Sequence, residues 1–433
     1  MSRLGIRRED KHAFERRVPL TPDGVRKLTA QGLEIVVQPS SIRAFDDAAY
    51  AEAGATIAED LGSCDVVLAV KEIPSTLFRQ GGAYVFFSHT IKGQPHNMPM
   101  LRKLMELGCT LIDYEKITDD AGRRLVFFGR HAGLAGMIDT LWTVGRRLAA
   151  RGTPTVFEDL RLAHEYPDLE AAEQAITAVG EALKTRPFPE SLAPFVVGFA
   201  GYGNVSRGAQ HILELLPHEW IAPEDLPALV ARSDAPRDRV FGVVFEERHL
   251  VARRDGSAFE LQDYYDHPEL YRSRFLPQAK HLSVIVNAIY WTEAYPRLLA
   301  RADLKDWYAA EEPRLVTVGD ISCDIEGAIE CTVKATTPDA PSYVYDPATD
   351  ALVDGVAGPG VAMMTTDCLP CELPRESSAA FTEALVPFAE ALARADYTGG
   401  LADSGLPPPM QRATILWRGE LTPPFAYMKK FLG

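Results

Sequence analysis

The chain has 433 residues, which suggests two to three domains, and 46% of them are hydrophobic, enough to fill real cores. Its 45 Lys and Arg against 60 Asp and Glu leave a formal net charge of -15, which argues against a nucleic-acid or anionic-membrane partner because both need a basic surface. No apolar run approaches the ~18 residues of a membrane span, and the start, Met1-Ser-Arg-Leu-Gly-Ile-Arg-Arg-Glu-Asp10, lacks the apolar core of a signal peptide, so the expectation is a soluble, cytoplasmic protein.

Taken in order, Val25 to Gln31 reads as a helix, Leu33 to Gln38 as a strand, and Tyr50 to Ala53 as the start of another helical patch. Asp65-Val-Val-Leu-Ala-Val70 is a buried-strand run ending in Lys71-Glu72, and Ala83-Tyr-Val-Phe-Phe87 is another ending in Ser88-His89. Ligands of open α/β sheets bind beyond the carboxyl ends of strands, so Lys71 and His89 arrive where chemistry is expected. A helical patch, Met98 to Leu107, precedes the strand Thr110-Leu-Ile-Asp-Tyr114, and Arg123-Arg-Leu-Val-Phe-Phe128 leads into a glycine-rich hinge and a helical pattern over Leu134 to Ala150. A domain boundary is placed inside that helix.

Leu169 to Leu183 reads as a helix, and a proline-rich connector follows it. Val240 to Phe245 and His249 to Arg253 read as a hairpin or strand pair. Strands resume at Leu282 to Asn287 and Leu315 to Val318, and a helix covers Ser377 to Ala395. Strand-end Asn287 and Asp320 fall on the same side of the sheet. The six cysteines are too few and scattered for a disulfide framework, and Cys368-Leu-Pro-Cys371 lacks the second pair that tetrahedral zinc asks for.

Phe195-Val-Val-Gly-Phe-Ala-Gly-Tyr-Gly-Asn-Val-Ser-Arg-Gly-Ala209 is an apolar run that breaks into glycines and then into a helix. It reads as a dinucleotide site: Gly201 makes the turn, Gly203 lets the backbone approach a pyrophosphate, and Gly208 lets helix and strand pack closely. The phosphates then sit on the helix N-terminus at Asn204, Val205 and Ser206. A second strand, Glu219 to Ala222, follows. The acid that bonds the adenosine ribose is sought about 20 positions beyond the first glycine, where Glu219, Glu224 and Asp225 lie.

Glu15-Arg-Arg-Val-Pro-Leu-Thr-Pro22, Val70-Lys-Glu72, Phe86-Phe-Ser-His-Thr-Ile-Lys92, Leu111-Ile-Asp-Tyr-Glu-Lys116, the glycine motif, Asn287-Ala-Ile-Tyr-Trp291 and Leu369-Pro-Cys-Glu-Leu-Pro374 resemble lysine-2-oxoglutarate reductase, the saccharopine-forming half of aminoadipic semialdehyde synthase. More loosely the chain resembles the lysine-forming saccharopine dehydrogenases and the alanine dehydrogenase and transhydrogenase superfamily. The resemblance implies an α/β fold of two doubly wound domains with the active site in the cleft between them: a substrate domain of residues 1–139 joined by 366–433, and a dinucleotide domain of 140–365. It implies a stand-alone reductase, because the chain stops near the end of the reductase region.

By the same resemblance Lys71 and His89 are the acid/base pair, Arg17 holds a substrate carboxylate, and Lys92, Gln94, Arg123 and Phe128 are substrate positions. Glu224 and Asn287 belong to the coenzyme site, and Asp320 lies at the nicotinamide side. Gly129-Arg130-His131 departs from relatives that carry an aromatic residue there. Chemistry agrees with the assignment: saccharopine has three carboxylates and needs cations, and condensing an amine with a keto acid needs groups that exchange protons near neutral pH. The reading is reductive condensation of L-lysine with 2-oxoglutarate. The alternatives are an opine-type dehydrogenase for another amine and a nucleotide-binding regulator without catalysis. For the coenzyme, acids in the ribose window favour NAD(H), whereas the resemblance favours NADP(H), to which the sequence reading leans.

Overall fold

A computed structural model describes residues 2–432. The chain forms two units, Met1–Phe128 with Pro374–Gly433, and Gly129–Leu373. Each is built on its own eight-stranded sheet.

In the first unit the sheet runs Glu420–Leu421, Thr414–Trp417, Thr110–Asp113, Ala83–Phe86, Val66–Leu68, Arg3–Ile6, Glu34–Val37, Thr56–Ile57. Six strands are parallel, and the two from the C-terminal segment extend the sheet through antiparallel pairings, Thr414–Trp417 on Thr110–Asp113 and Glu420–Leu421 on Thr414–Trp417. Side chains alternate between faces as the strand period of two requires. Leu4, Ile6, Ile35, Val37, Val66, Leu68 and Val85 feed one core, while Val36, Val67, Tyr84, Phe86 and Leu111 feed the other. Burial on both faces is what lets these strands read as unbroken apolar runs. Helix Pro374–Arg394 covers the first face with Phe381, Leu385, Ala389 and Leu392, a stripe of helical spacing, and so ties the C-terminal segment to the N-terminal sheet.

The strand order reverses between Arg3–Ile6 and Val66–Leu68, since the chain first moves outward to Thr56–Ile57 and then returns to build the other half. The crevice beyond such a reversal is the usual ligand position. Arg3–Ile6 is among the strands the sequence did not reveal. It is four residues long and is flanked by Arg7-Arg8-Glu9-Asp10, so only its neighbours reveal it.

The second sheet runs Ala351–Asp354, Ser342–Asp346, Val361–Met364, Thr317–Asp320, Val284–Asn287, Phe195–Ala200, Val240–Phe245, His218–Trp220. It too reverses, at Phe195–Ala200. Two expectations are corrected here. Val240–Phe245 is no hairpin partner of the following strand: it lies parallel to Phe195–Ala200, while Val251–Arg253 pairs antiparallel with Tyr271–Ser273 in a separate ribbon. The strand after the glycine helix is His218–Trp220, and it is the sheet's edge, joined to Val240–Phe245 and not to the glycine-turn strand.

The boundary expected at 139 also moves, because the helix begins at Gly129 and runs to Ala150 as part of the second unit. It crosses helix Asn204–Glu214 with the backbones almost touching. A Cβ on Gly133 would lie 1.9 Å from the Val205 carbonyl oxygen, and one on Gly208 would lie 2.2 Å from that of Arg130. Gly208 therefore serves helix-on-helix packing, not the helix-on-strand packing expected of it. Among the described residues no helix is long and apolar enough to cross a membrane, and none of the six cysteines is in a disulfide.

Candidate functional site

In the first unit the site begins where Val66–Leu68 and Ala83–Phe86, neighbouring parallel strands, release their chains. Lys71 follows the first and His89 the second. The buried Glu9 carboxylate accepts the Val70 and Lys71 N–H groups at 2.6 and 3.0 Å, which fixes the backbone that carries Lys71. Burial and the like charge of Glu15 push the Glu9 carboxyl up to about 7, against the pull of those two N–H bonds.

His89 has a φ of 47°, a left-handed backbone that a non-glycine residue adopts at a cost and that clusters at functional positions. Its Nδ1 is 2.6 Å from Glu72 Oε1. That assigns the ring proton to Nδ1 and leaves Nε2 to exchange protons. Lys11 Nζ meets the other Glu72 oxygen at 2.9 Å, and Asn97 Nδ2 donates to the His89 carbonyl at 3.2 Å. Burial raises the Glu72 carboxyl, but the bonds and charge of His89 outweigh it and hold the group well below the usual carboxylate range.

The expected substrate residues fare unequally. Arg17 is buried and its guanidinium is bound bidentately by Glu15, at 2.8 and 2.5 Å, while it stacks 4.4 Å from the centroid of Phe128. Phe128 in turn stacks on Phe381 at 4.6 Å, so the ring is part of the aromatic packing beneath the site. The Glu15 carboxyl is lowered: burial opposes ionisation, and Arg17 prevails. Lys92 is exposed, and its N–H donates to Gln94 Oε1 at 3.2 Å. Arg123 departs from expectation. It is 81% exposed on a surface turn and bound to Asp119 at 2.7 Å, because Asp119 and Arg123 close that turn by charge and hydrogen bond.

In the second unit Gly201 takes a φ of +98°, open to glycine at no steric cost, and its N–H donates to the Phe245 carbonyl at 3.0 Å. Gly203 precedes helix Asn204–Glu214, has open space around its Cα, and leaves that helix without a side-chain cap, so the N–H groups of the first turn, at Asn204, Val205 and Ser206, are available to a pyrophosphate. The Ser206 hydroxyl is buried and accepts from Gln210 at 2.8 Å. A cleft of about 370 Å³ opens beside the turn, lined by aromatic side chains including Tyr202, Tyr265 and Tyr290. The residues present thus fit a dinucleotide.

Asn287 and Asp320 end adjacent strands, and Asn287 Nδ2 donates to Asp320 Oδ1 at 2.8 Å. Asp320 also accepts from the Thr332 hydroxyl at 2.5 Å and the Cys323 N–H at 3.2 Å, yet burial still pushes its carboxyl up to about 6. Glu224, expected at the coenzyme site, lies elsewhere in this unit. It sits in an exposed turn, 3.4 Å from His249, and does not line the cleft. The rule of about 20 residues presumes that the next strand lies beside the glycine strand, and here that place is taken by Val240–Phe245. The acidic side chain that does line the cleft is Glu247.

Residues 5–135 match the model of the alanine dehydrogenase/PNT N-terminal domain. Over 99% of its length it is 37% identical to the alpha-aminoadipic semialdehyde synthase of Arabidopsis thaliana and 36% identical to the mitochondrial one of Bos taurus, of which it covers 41% and 47%. The chain therefore spans less than half the length of these relatives. It is 27% identical to the NAD(+), L-lysine-forming saccharopine dehydrogenase of Yarrowia lipolytica, with 89% of this chain and 90% of that one covered. An L-alanine dehydrogenase structure superposes over 100% of both chains with a TM-score of 0.63 at 17% identity, a likeness of fold. The resemblance read from the motifs is borne out, as is the two-domain α/β fold.

Proposed function

We propose that the chain is a nicotinamide-dinucleotide-dependent imine reductase that joins L-lysine to 2-oxoglutarate, giving saccharopine and water, and that splits saccharopine in reverse. The observation that carries this reading is the pair of strand ends bearing Lys71 and His89, each held by a carboxylate: Glu9 fixes the Lys71 backbone, and Glu72 fixes the His89 ring. Two proton-exchanging groups at the carboxyl ends of neighbouring central strands are what carbinolamine formation and dehydration require. His89 Nε2 takes a proton from the attacking amine and returns it to the departing hydroxyl, and Lys71 donates to the keto oxygen. A bound dinucleotide supplies the hydride that saturates the imine carbon.

The name of the L-lysine-forming saccharopine dehydrogenase supports lysine as the amine. In this unit Arg17 and Arg123 are already paired with carboxylates, so among the described residues Lys92 is the expected substrate cation with no ion pair. Initial rates of reduced-coenzyme oxidation with 2-oxoglutarate and a panel of amines test the assignment. Turnover with L-lysine above the other amines is expected. A preference for a different amine gives the opine-type reading in its place.

A further inference from the structure

The strand Val240–Phe245 lies directly beside the glycine-turn strand and runs straight into Glu246-Glu247. In a doubly wound sheet that neighbour delivers the side chain that meets the adenosine ribose. Among the described residues Glu247 is the sole charged one lining the cleft, and no Lys or Arg lines it. The hydroxyls of Tyr202 and Tyr265 both donate to Glu247 Oε1, at 3.3 and 3.0 Å. Tyr202 stands between the two glycines of the turn, so the turn itself orients the carboxylate. Among the described residues no hydrogen bond or ion pair to Oε2 is found.

The cations that a 2′-phosphate needs are engaged elsewhere. Arg248 pairs with Glu246 at 3.0 Å, Arg232 with Asp234 at 3.1 Å, and Arg237 with the Phe188 carbonyl at 2.7 Å and Glu190 at 3.2 Å. A phosphate carrying close to two negative charges would meet a fixed carboxylate in a largely apolar cleft, whereas a ribose hydroxyl would donate to Oε2.

We propose that Glu247, positioned by Tyr202 and Tyr265, makes this chain select NAD(H) over NADP(H), against the NADP(H) preference that the resemblance to the reductases implies. The selection rests on the dinucleotide reading of the second unit. Titration calorimetry of the full chain with ADP-ribose and with 2′-phospho-ADP-ribose, at one ionic strength, separates the two. ADP-ribose is expected to bind at least ~10-fold more tightly, the order of one charge-assisted hydrogen bond. Glu247→Ser is expected to close the gap to within a few-fold by weakening ADP-ribose and relieving the phosphate. Glu247→Gln, which keeps the shape, should close part of it. Tighter binding of the 2′-phosphorylated probe by the unaltered chain, or an unchanged ratio in both variants, overturns the selection and leaves the dinucleotide reading standing. Failure of both probes to bind overturns both.

Discussion

Glu72 holds His89 and Lys11 on its two oxygens, so one carboxylate sets the orientation of the proposed base. Lys71→Met and His89→Gln are each expected to lower kcat by roughly 10²–10⁴, with ADP-ribose affinity within a few-fold of the starting value. Unchanged turnover in both would remove them from the chemistry. Arg17 invites a different measurement. Removing it takes the bidentate Arg17 partner from the Glu15 carboxylate, which is 0% exposed, and breaking a buried pair costs about 3–5 kcal/mol. Arg17→Ala is thus expected to lower the urea midpoint of unfolding sharply, while Arg16→Ala, whose side chain is exposed, leaves it nearly unmoved. Equal midpoints for the two variants would contradict the buried pair. Lys71 and His89 were legible in the sequence because apolar runs end at them. Their holders Glu9 and Glu72 were not, since a carboxylate near a charge in sequence looks like solvated surface until the fold buries it.

At the scale of elements, the three glycines of the motif divide into two kinds of constraint. Helices Gly129–Ala150 and Asn204–Glu214 cross through Gly133 and Gly208, where an added methyl meets backbone that cannot rotate away. Gly133→Ala and Gly208→Ala are expected to destabilise the chain by about 1–3 kcal/mol or more, read as a fall in melting temperature. Gly203→Ala meets open space and is expected to leave that temperature within a degree or two while weakening ADP-ribose binding about tenfold or more, because the methyl stands where the pyrophosphate approaches. A large loss of stability at Gly203 would show that the glycine is structural.

Most helices and central strands were readable from period and apolar runs. What was not readable is which strand neighbours which. The position of Glu247 follows from the edge placement of His218–Trp220, and no count along the chain contains that.

For the molecule as a whole, the most consequential buried group outside the proposed chemistry is the carboxyl pair Asp139 and Glu372, 0% and 2% exposed. Among the described residues Asp139 Oδ2 and Glu372 Oε1 are buried without a hydrogen-bond partner, and each carboxyl acts on the other, so the neutral, protonated form is favoured. Asp139 Oδ1 accepts the Ala163 N–H at 2.9 Å, and His164 Nδ1 lies 3.4 Å from Glu372 Oε2. Burial and the neighbouring carboxyl hold Asp139 well above its ordinary range; burial pushes Glu372 up to about 8, against the pull of Asp139. In the unfolded chain both groups lose their protons near the ordinary carboxyl values. From about pH 4.5 to about 8 the native state therefore holds more protons than the unfolded one, and stability falls as pH rises. Glu9, raised to about 7, adds a slope of the same sign over the lower part of that window. Each extra native proton corresponds to about 1.4 kcal/mol per pH unit. Urea midpoints measured between pH 5 and 8 are expected to decline steadily, and Glu372→Gln, whose amide supplies the missing donor to Asp139, is expected to flatten the decline. A midpoint that rises across this window, or a slope untouched by the substitution, would show that the pair is not protonated in the folded chain.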